Sequence, residues 1–389
     1  MLTFENFSGL NNVLPPQRIA DGELVAAVNA DIGLSGELRR RAGYTEQVAG
    51  CHKNVHQAGG YLLATRDGGE LVAIYASATH SLHPSLGVAR VWYCNLPDGR
   101  TAFSNGSIAG LTDGAMATSW GVPVPQSIGA LTPVVGELDA GEYRYQITYV
   151  RMSDGLEGGA AISHPVAVPD GGVLLTGLPS IDGHKINVYL TGANGDNAYL
   201  AGSTAGSTFS YLGKNDALVL PCKTGNLAPP PVCTVMAFWR GRVLMAVGNV
   251  LYASLPNQWE LCDPRRDFKQ FSASITLIQP VDDGVYVGTS DELAFLSGDR
   301  FDNLAYRQVI RGRVVLGSGV VVRGERVKQG AGMGQGAAML CLADRHIVAG
   351  FNGGGIIRMT EGRYAVDHAE VAATFREVDG VPQYLAVVQ

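Results

Sequence analysis

Charge is what this chain has least of: Asp, Glu, Lys and Arg make up only 16% of its 389 residues and sum to a formal net charge of −6. Proteins that grip nucleic acid present a basic excess whose phosphate contacts release counterions, so general DNA binding is disfavoured. Helical periodicity is also missing, and no run of about 18 uncharged apolar residues occurs, which leaves no membrane-spanning helix. The opening MLTFENFSGLNN has no basic stretch followed by an apolar one, so the expectation is a soluble protein made without a secretory signal. Six cysteines (Cys51, Cys94, Cys222, Cys233, Cys262 and Cys341) stand far apart, with no C-x-x-C pair and no histidine at finger spacing. They read as reduced, mostly core thiols, with no metal site among them.

The enzyme templates fail in turn. No G-x-x-x-x-G-K-[ST], G-x-S-x-G or H-E-x-x-H occurs. GAGMGQG (330–336) has glycines at suggestive spacing, but it follows the polar RGERVKQ rather than a buried strand, and reads as a loop rather than a phosphate cradle. Glycoside hydrolysis needs only two carboxylates, yet Asp67, Asp282 and Asp283 sit in turn contexts (RDGGE, VDDGV) and read as turn formers. His80 and His83 in HSLH are spaced like a metal pair, but Pro84 follows and no third ligand is near, so a surface loop is expected. The expectation is a chain with no catalytic residues and no cofactor.

What is abundant is glycine, at 51 residues, against a hydrophobic fraction of 46%, a composition of a folded chain rich in turns. Short alternating runs bounded by Gly, Asn, Asp or Pro are frequent, and they predict an all-β fold. YLLATRDGGELVAIYAS (61–77), RVLMAVGNVLYASLP (242–256), GVYVGTSDELAFLSG (284–298) and RHIVAGFNGGGIIRMTEG (345–362) each read as a hairpin. Leu251 and Leu293 hold similar places 42 positions apart, within the roughly 40–45 residues of a four-stranded propeller blade. From Leu71 to Leu251, removing an insertion of about 100 residues leaves room for roughly two blades.

The insertion has proline-rich edges, WGVPVPQ (120–126) and NLAPPPV (226–232), which cannot lie inside central strands. Between them, Tyr143, Tyr145, Ile147 and Tyr149 alternate with Arg144, Gln146 and Thr148, and Ile186, Val188 and Leu190 repeat the device. Strands of this kind describe an immunoglobulin- or fibronectin-III-like β-sandwich. The predicted architecture is therefore a β-propeller-like body, in residues 1–126 and 227–389, carrying a β-sandwich insert in residues 127–226.

Two arginine groups remain. LVAAVNADIGLSG alternates into a turn at Gly33–Gly36, which puts Arg39, Arg40 and Arg41 of SGELRRRAGYT on a returning strand. Arg39 and Arg41 then share one face and Arg40 takes the other, a layout suited to carboxylates of the same or a neighbouring chain. In DPRRDF (263–268), Arg265 and Arg266 are flanked by aspartates and read as a locally neutralised loop or an inter-subunit contact. All five are candidate inter-subunit residues.

The stretch FENFSGLNNVLPPQRIADGELVAAVNADIGLSGELRRRAGYT (4–45) resembles the start of many tail and head-completion proteins of double-stranded DNA bacteriophages, with its F-x-G-x-N-N, A-x-N-x-D-I and G-x-L-x-R-R-x-G-Y elements. Segments 140–202 and 238–298 are similar to the sandwich insert and to later parts of the same proteins. Within that family the chain resembles the tail hub or nozzle of short-tailed phages. The resemblance implies a homo-oligomeric ring, a hexamer, in the virion tail, made in the host cytoplasm and continuing the DNA channel below the portal. Its implied partners are the head-to-tail adaptor ring, tail fibres or spikes, and double-stranded DNA touched transiently and without sequence preference. An acidic, glycine-rich β ring would let DNA slide, because each basic contact adds affinity for phosphate. Two rival readings are a receptor-binding or polysaccharide-degrading phage tail protein and a cellular propeller that recruits protein partners.

Overall fold

Turns cut this chain into short strands, and the computed structural model, which describes residues 6–33, 35–76, 78–169, 171–327, 334–378 and 380–389, gathers most of them into five antiparallel meanders of four. The first runs through Lys53–Ala58, Tyr61–Arg66, Glu70–Ile74 and Thr79–His83, and the second through Trp92–Asn95, Thr101–Ser104, Ala109–Thr112 and Ala117–Ser119. After the insert come Met236–Trp239, Arg242–Val247, Val250–Ala253 and Phe268–Gln270, then Ile275–Val281, Gly284–Thr289, Glu292–Ser297 and Ala305–Arg311. The fifth holds Val320–Arg323, Ala337–Ala343, His346–Gly350 and Ile356–Arg358, and a two-stranded hairpin, Val371–Val378 and Val381–Val388, follows it.

First strands of successive sheets face one another, from Lys53–Ala58 round to Val371–Val378. The circuit returns where Arg90, between the first two sheets, donates to Glu370 Oε1 at 3.0 Å and to the Val371 carbonyl at 2.7 Å. This is a β-propeller body, with five full blades and a sixth position filled by the hairpin. Its cores lie between blades: Trp239, Leu244 and Leu251 of the third pack on Ile278, Val285 and Val287 of the fourth. Blade strands thus have neighbours on both faces, so Arg242–Val247 and Gly284–Thr289 read as continuous apolar runs rather than alternating ones. Leu71, Leu251 and Leu293 are each the second residue of a third strand and are fully buried. Three of the four hairpins read from sequence supply second and third strands, while 345–362 supplies the third and fourth; Ser77 lies outside the described residues.

The insert is a sandwich. Ala130–Leu138, Gly171–Thr176 and Thr208–Tyr211 form one sheet, and Glu157–Ile162, Tyr145–Arg151, His184–Thr191 and Ala198–Thr204 the other. Between them lie Tyr143, Tyr145, Ile147, Tyr149, Ile186, Val188 and Leu190, the side chains that the alternation singled out. The buried tyrosines keep their hydroxyls bonded: Tyr143 donates to the Asp139 carbonyl at 2.9 Å and Tyr145 to the Gly129 carbonyl at 3.0 Å.

Residues 6–52 belong to no blade. They form an arm in which Gly9–Leu10 pairs with Glu23–Leu24 and Ala30–Ile32 with Leu38–Arg40. Asn12 fastens it to the body, donating to the carbonyls of Arg363 at 3.0 Å and Ala365 at 2.8 Å. LVAAVNADIGLSG alternates into the turn as a strand would, but residues 25–29 are not strand here: Asn29 has a positive φ of 51°, and although its carbonyl accepts from Arg41 N at 2.8 Å the ladder does not continue.

Asp282 and Asp283 occupy the tight turn between the first two strands of the fourth blade, and they also clamp the fifth. Asp282 Oδ2 accepts from Ala337 N at 2.8 Å and Asn352 Nδ2 at 2.9 Å, and Asp283 Oδ2 accepts from Gly353 N at 2.6 Å. Bonds from Asn352 and the Ala337 amide hold the Asp282 carboxyl below its ordinary range. A depressed folded-state value means that this stabilisation is present above the unfolded value of about 3.9 and is lost as pH falls through the folded one. Asp282→Ala is therefore expected to lower unfolding free energy by about 1 kcal/mol at neutral pH. In denaturant titrations the difference from wild type should shrink below about pH 4; a difference independent of pH would assign the effect to the turn alone.

Candidate functional site: a charged joint and an uncovered arm

The densest cluster of charge lies where body and insert meet. Glu260 follows the third strand of the third blade and is only 6% exposed. Its Oε1 accepts from Arg100 Nη1 of the second blade at 2.6 Å, and its Oε2 from Arg151 Nη2, at the end of an insert strand, at 2.8 Å. Arg151 also donates to Asp154 through Nε at 3.0 Å and Nη2 at 2.6 Å, and Arg100 through Nε to Asp98 Oδ2 at 2.7 Å. Bonds to Asp154 and then to Glu260 outweigh burial and hold the Arg151 guanidinium above its ordinary value. The backbones close in around this network. Trp120 Nε1 donates to the Trp259 carbonyl at 2.8 Å, and a Cβ on Gly159 would stand 1.7 Å from the Leu227 carbonyl oxygen. Only glycine permits that approach. No sequence pattern pairs position 151 with 260, so the joint escaped the sequence reading.

The arginine hairpin forms as its turn residues dictate. Gly36 sits at φ +80°, with Gly36 N donating to the Gly33 carbonyl at 3.0 Å and Gly33 N to the Glu37 carbonyl at 2.9 Å. Arg39 meets Glu37 at 2.6 Å and Arg41 meets Asp31 at 3.0 Å. The Ser35 hydroxyl, then the Glu37 backbone amide and more weakly Arg39, hold the Glu37 carboxyl below its ordinary range, and Asp31 raises the Arg41 guanidinium. Arg40 is exposed and makes no ion pair among the described residues. Arg265 is neutralised by Asp263, through Nε and Nη2 each at 3.1 Å, and Arg266 lies 3.6 Å from Asp267. Four of the five arginines thus face carboxylates of their own chain, and no hydrogen bond or ion pair joins the two groups among the described residues.

The histidine pair departs from expectation. His80 and His83 lie in the outer strand of the first blade, not in a loop, opposite Ala73 and Leu71 of the neighbouring strand. A strand partner at Glu70–Ile74 outweighs the breaking effect of Pro84, which falls just after the strand ends. His83 Nδ1 accepts from Ser85 N at 3.3 Å. Among the described residues no three His, Cys, Asp or Glu side chains gather as a metal site would require. Asp67 opens the Asp67–Gly69 turn. In GAGMGQG, residues 330–333 lie outside the described residues, while Gly336 carries a positive φ of 82° and accepts from Gly324 N at 2.7 Å. Cys94, Cys233, Cys262 and Cys341 are buried, and desolvation pushes each thiol up to about 12; Cys51 is exposed.

The arm is the part that buries least. Among its described residues only Asn11 and Gly22 are buried, whereas Val28 is 84% and Tyr44 87% exposed, and Val13, Leu14, Val25, Leu38 and Val48 are exposed too.

Removing the shared carboxylate leaves each guanidinium with one carboxylate where it had two, Asp98 for Arg100 and Asp154 for Arg151. Glu260→Ala is expected to destabilise the fold by about 1.5–3 kcal/mol. Limited proteolysis should then cut first at the proline-rich edges, 120–126 and 226–232. A melting temperature unchanged by the substitution would mean that steric contacts such as the Gly159 approach hold the insert without the charges.

No protein-family model matches this chain, and no curated protein matches it. Solved structures similar to it include a streptogramin B lyase, at 9% identity over 87% of this chain and 90% of that one, with a TM-score of 0.35. BBS1N in complex with ARL6DN is similar at 12% identity over 89% and 93%, also with a TM-score of 0.35. The Pan2 WD40 domain of Neurospora crassa is similar at 9% identity over 87% and 86%, with a TM-score of 0.34. At such scores nothing is argued from them, and the assignment of the fold rests on the sheets described above.

Proposed function

We propose that this protein is a structural subunit of a short-tailed phage virion, a tail nozzle or hub that assembles into a ring, continues the DNA channel below the adaptor, retains the genome and lets it pass at ejection. The observation that carries this reading is the arm. Residues 4–45 bear the resemblance to phage tail proteins, and the described part of that stretch buries almost nothing of its own. A pattern of aromatic, apolar and arginine residues without a core to build is suited to a neighbouring subunit.

Two further features support it. In-chain pairing of Arg39, Arg41, Arg265 and Arg266 takes these four cations out of contention as free phosphate contacts, on a chain already net acidic. The rigid joint at Glu260 fixes the insert to the body, so the insert can bear against an adjacent copy without swinging. Heterologous contacts of one kind, repeated, close a ring when the rotation closes.

Electron microscopy and mass measurement of the purified protein are expected to show closed rings of about six copies, the number that the family resemblance implies. Antibody against the insert should label source particles only at the tail, below the portal vertex. A protein that stays monomeric at all concentrations and is absent from particles would end this reading; label on peripheral fibres would favour a receptor-binding tail protein.

A further inference from the structure

Among the described residues the sixth position of the propeller holds two strands where each of the five blades has four, so Val381–Val388 occupies a second-strand place with no described strand paired to its outer edge. Four of the five blades have an outermost strand that is short, as in Ala117–Ser119, Phe268–Gln270 and Ile356–Arg358, or charged, as in Ala305–Arg311 with Arg307 and Arg311, while Thr79–His83 of the first blade is polar apart from Leu82. Those are the usual ways in which an edge is made unreceptive. Val381–Val388, reading VPQYLAVV, is eight residues long and has no charged side chain, and Val387 is 62% exposed.

Beside this hairpin lies a mainly apolar groove of about 380 Å³, lined by Val327, Leu340, Ile347 and Met359 of the fifth blade region and by Phe375, Pro382 and Tyr384 of the hairpin, with Arg326 and Thr360 as its polar members. Between complete blades, third strands fill this place. Leu293 and Phe295 of the fourth blade, for instance, pack with Met339, Cys341 and Val348 of the fifth. Where the sixth blade should supply such strands, Ile347 and Met359 are left only half-buried.

The chain also holds an apolar stretch most of which belongs to no ladder. Leu24–Val28 is uncharged, only Leu24 of it lies in a strand, Val25 and Val28 are exposed, and its length matches an ordinary strand of about five residues. In its own chain the stretch is tied down on both sides. Leu24 pairs with Leu10, Asn11 Nδ2 donates to Glu23 Oε2 at 2.9 Å, and Phe7 N reaches the Gly36 carbonyl at 2.8 Å. No hydrogen bond links residues 24–28 to residues 381–388.

We propose that the outer edge at Val381–Val388 is completed by Leu24–Val28 from the arm of a second copy of this chain. Strand addition supplies the missing backbone partners, and the added apolar side chains cover the groove. The contact is head-to-tail, since arm and edge are different surfaces, so each copy gives one strand and receives one around a ring. It rests on the ring reading above only in requiring that copies associate.

Cysteines placed at Val25 or Val28 and at Leu385, Ala386 or Val387, in a Cys51→Ser, Cys222→Ser background, test it after mild oxidation. The expected result is an interchain ladder on non-reducing gels from at least one pair, under conditions where mass photometry shows oligomers. Val387→Lys should weaken self-association at least tenfold while leaving the monomer's melting temperature unchanged. Oligomers without any interchain cross-link, an intrachain cross-link, or assembly untouched by Val387→Lys would overturn the strand addition and leave the ring reading standing. A protein that never associates would overturn both.

Discussion

One buried carboxylate ties the insert to two parts of the body at once. Glu260 is shared by Arg100 from one blade and Arg151 from the sandwich, and those arginines are in turn held by Asp98 and Asp154. Desolvating such charges costs several kcal/mol per ion, and the loss is offset only when every donor and acceptor finds a partner. Here the arrangement is nearly complete, because even the Gly121 amide points to Glu260 Oε2, at 3.3 Å. An apolar joint of equal area would tolerate many angles; fork-shaped guanidinium groups facing one carboxylate tolerate few. The network therefore converts a tethered module into a fixed one.

The body follows a different logic, in which each blade is the cover for the next. Strands buried on both faces need two neighbours, and the aspartates at 282 and 283 stitch one such pair through backbone amides. A closed series of this kind leaves no exposed face. At the hairpin the series ends early, and an uncharged edge and an open groove appear together at that one place. The uncovered arm is the complementary irregularity. One segment has apolar side chains and no ladder, and the other has a ladder and no partner.

On the proposed reading, these two irregularities make an assembly subunit of what is otherwise a self-contained propeller. The arginines of the two groups are mostly neutralised within the chain. That suits a conduit, where each free cation facing DNA would add affinity and slow passage. Arg40, exposed and without an ion pair among the described residues, is the member of the hairpin with charge to offer a neighbour.

Local pattern alone determined the class of elements, the hairpins, the four-stranded repeat and the sandwich core, because each depends on residues close in sequence. Tyr143, Tyr145, Ile147 and Tyr149 declared their face through period-two spacing, and Gly36 declared its turn. Short-range rules misled where a partner strand decided the outcome. His80 and His83 became strand because Glu70–Ile74 lies beside them, and Val25–Val28 did not because nothing does. Tertiary structure alone decided the joint, since positions 100, 151 and 260 meet only after two modules fold and dock, and no spacing rule spans such separations. It also decided which strand edge is left open, for that the described residues pair only Val371–Val378 with Val381–Val388 at the sixth position depends on how the blades close and not on any local spacing.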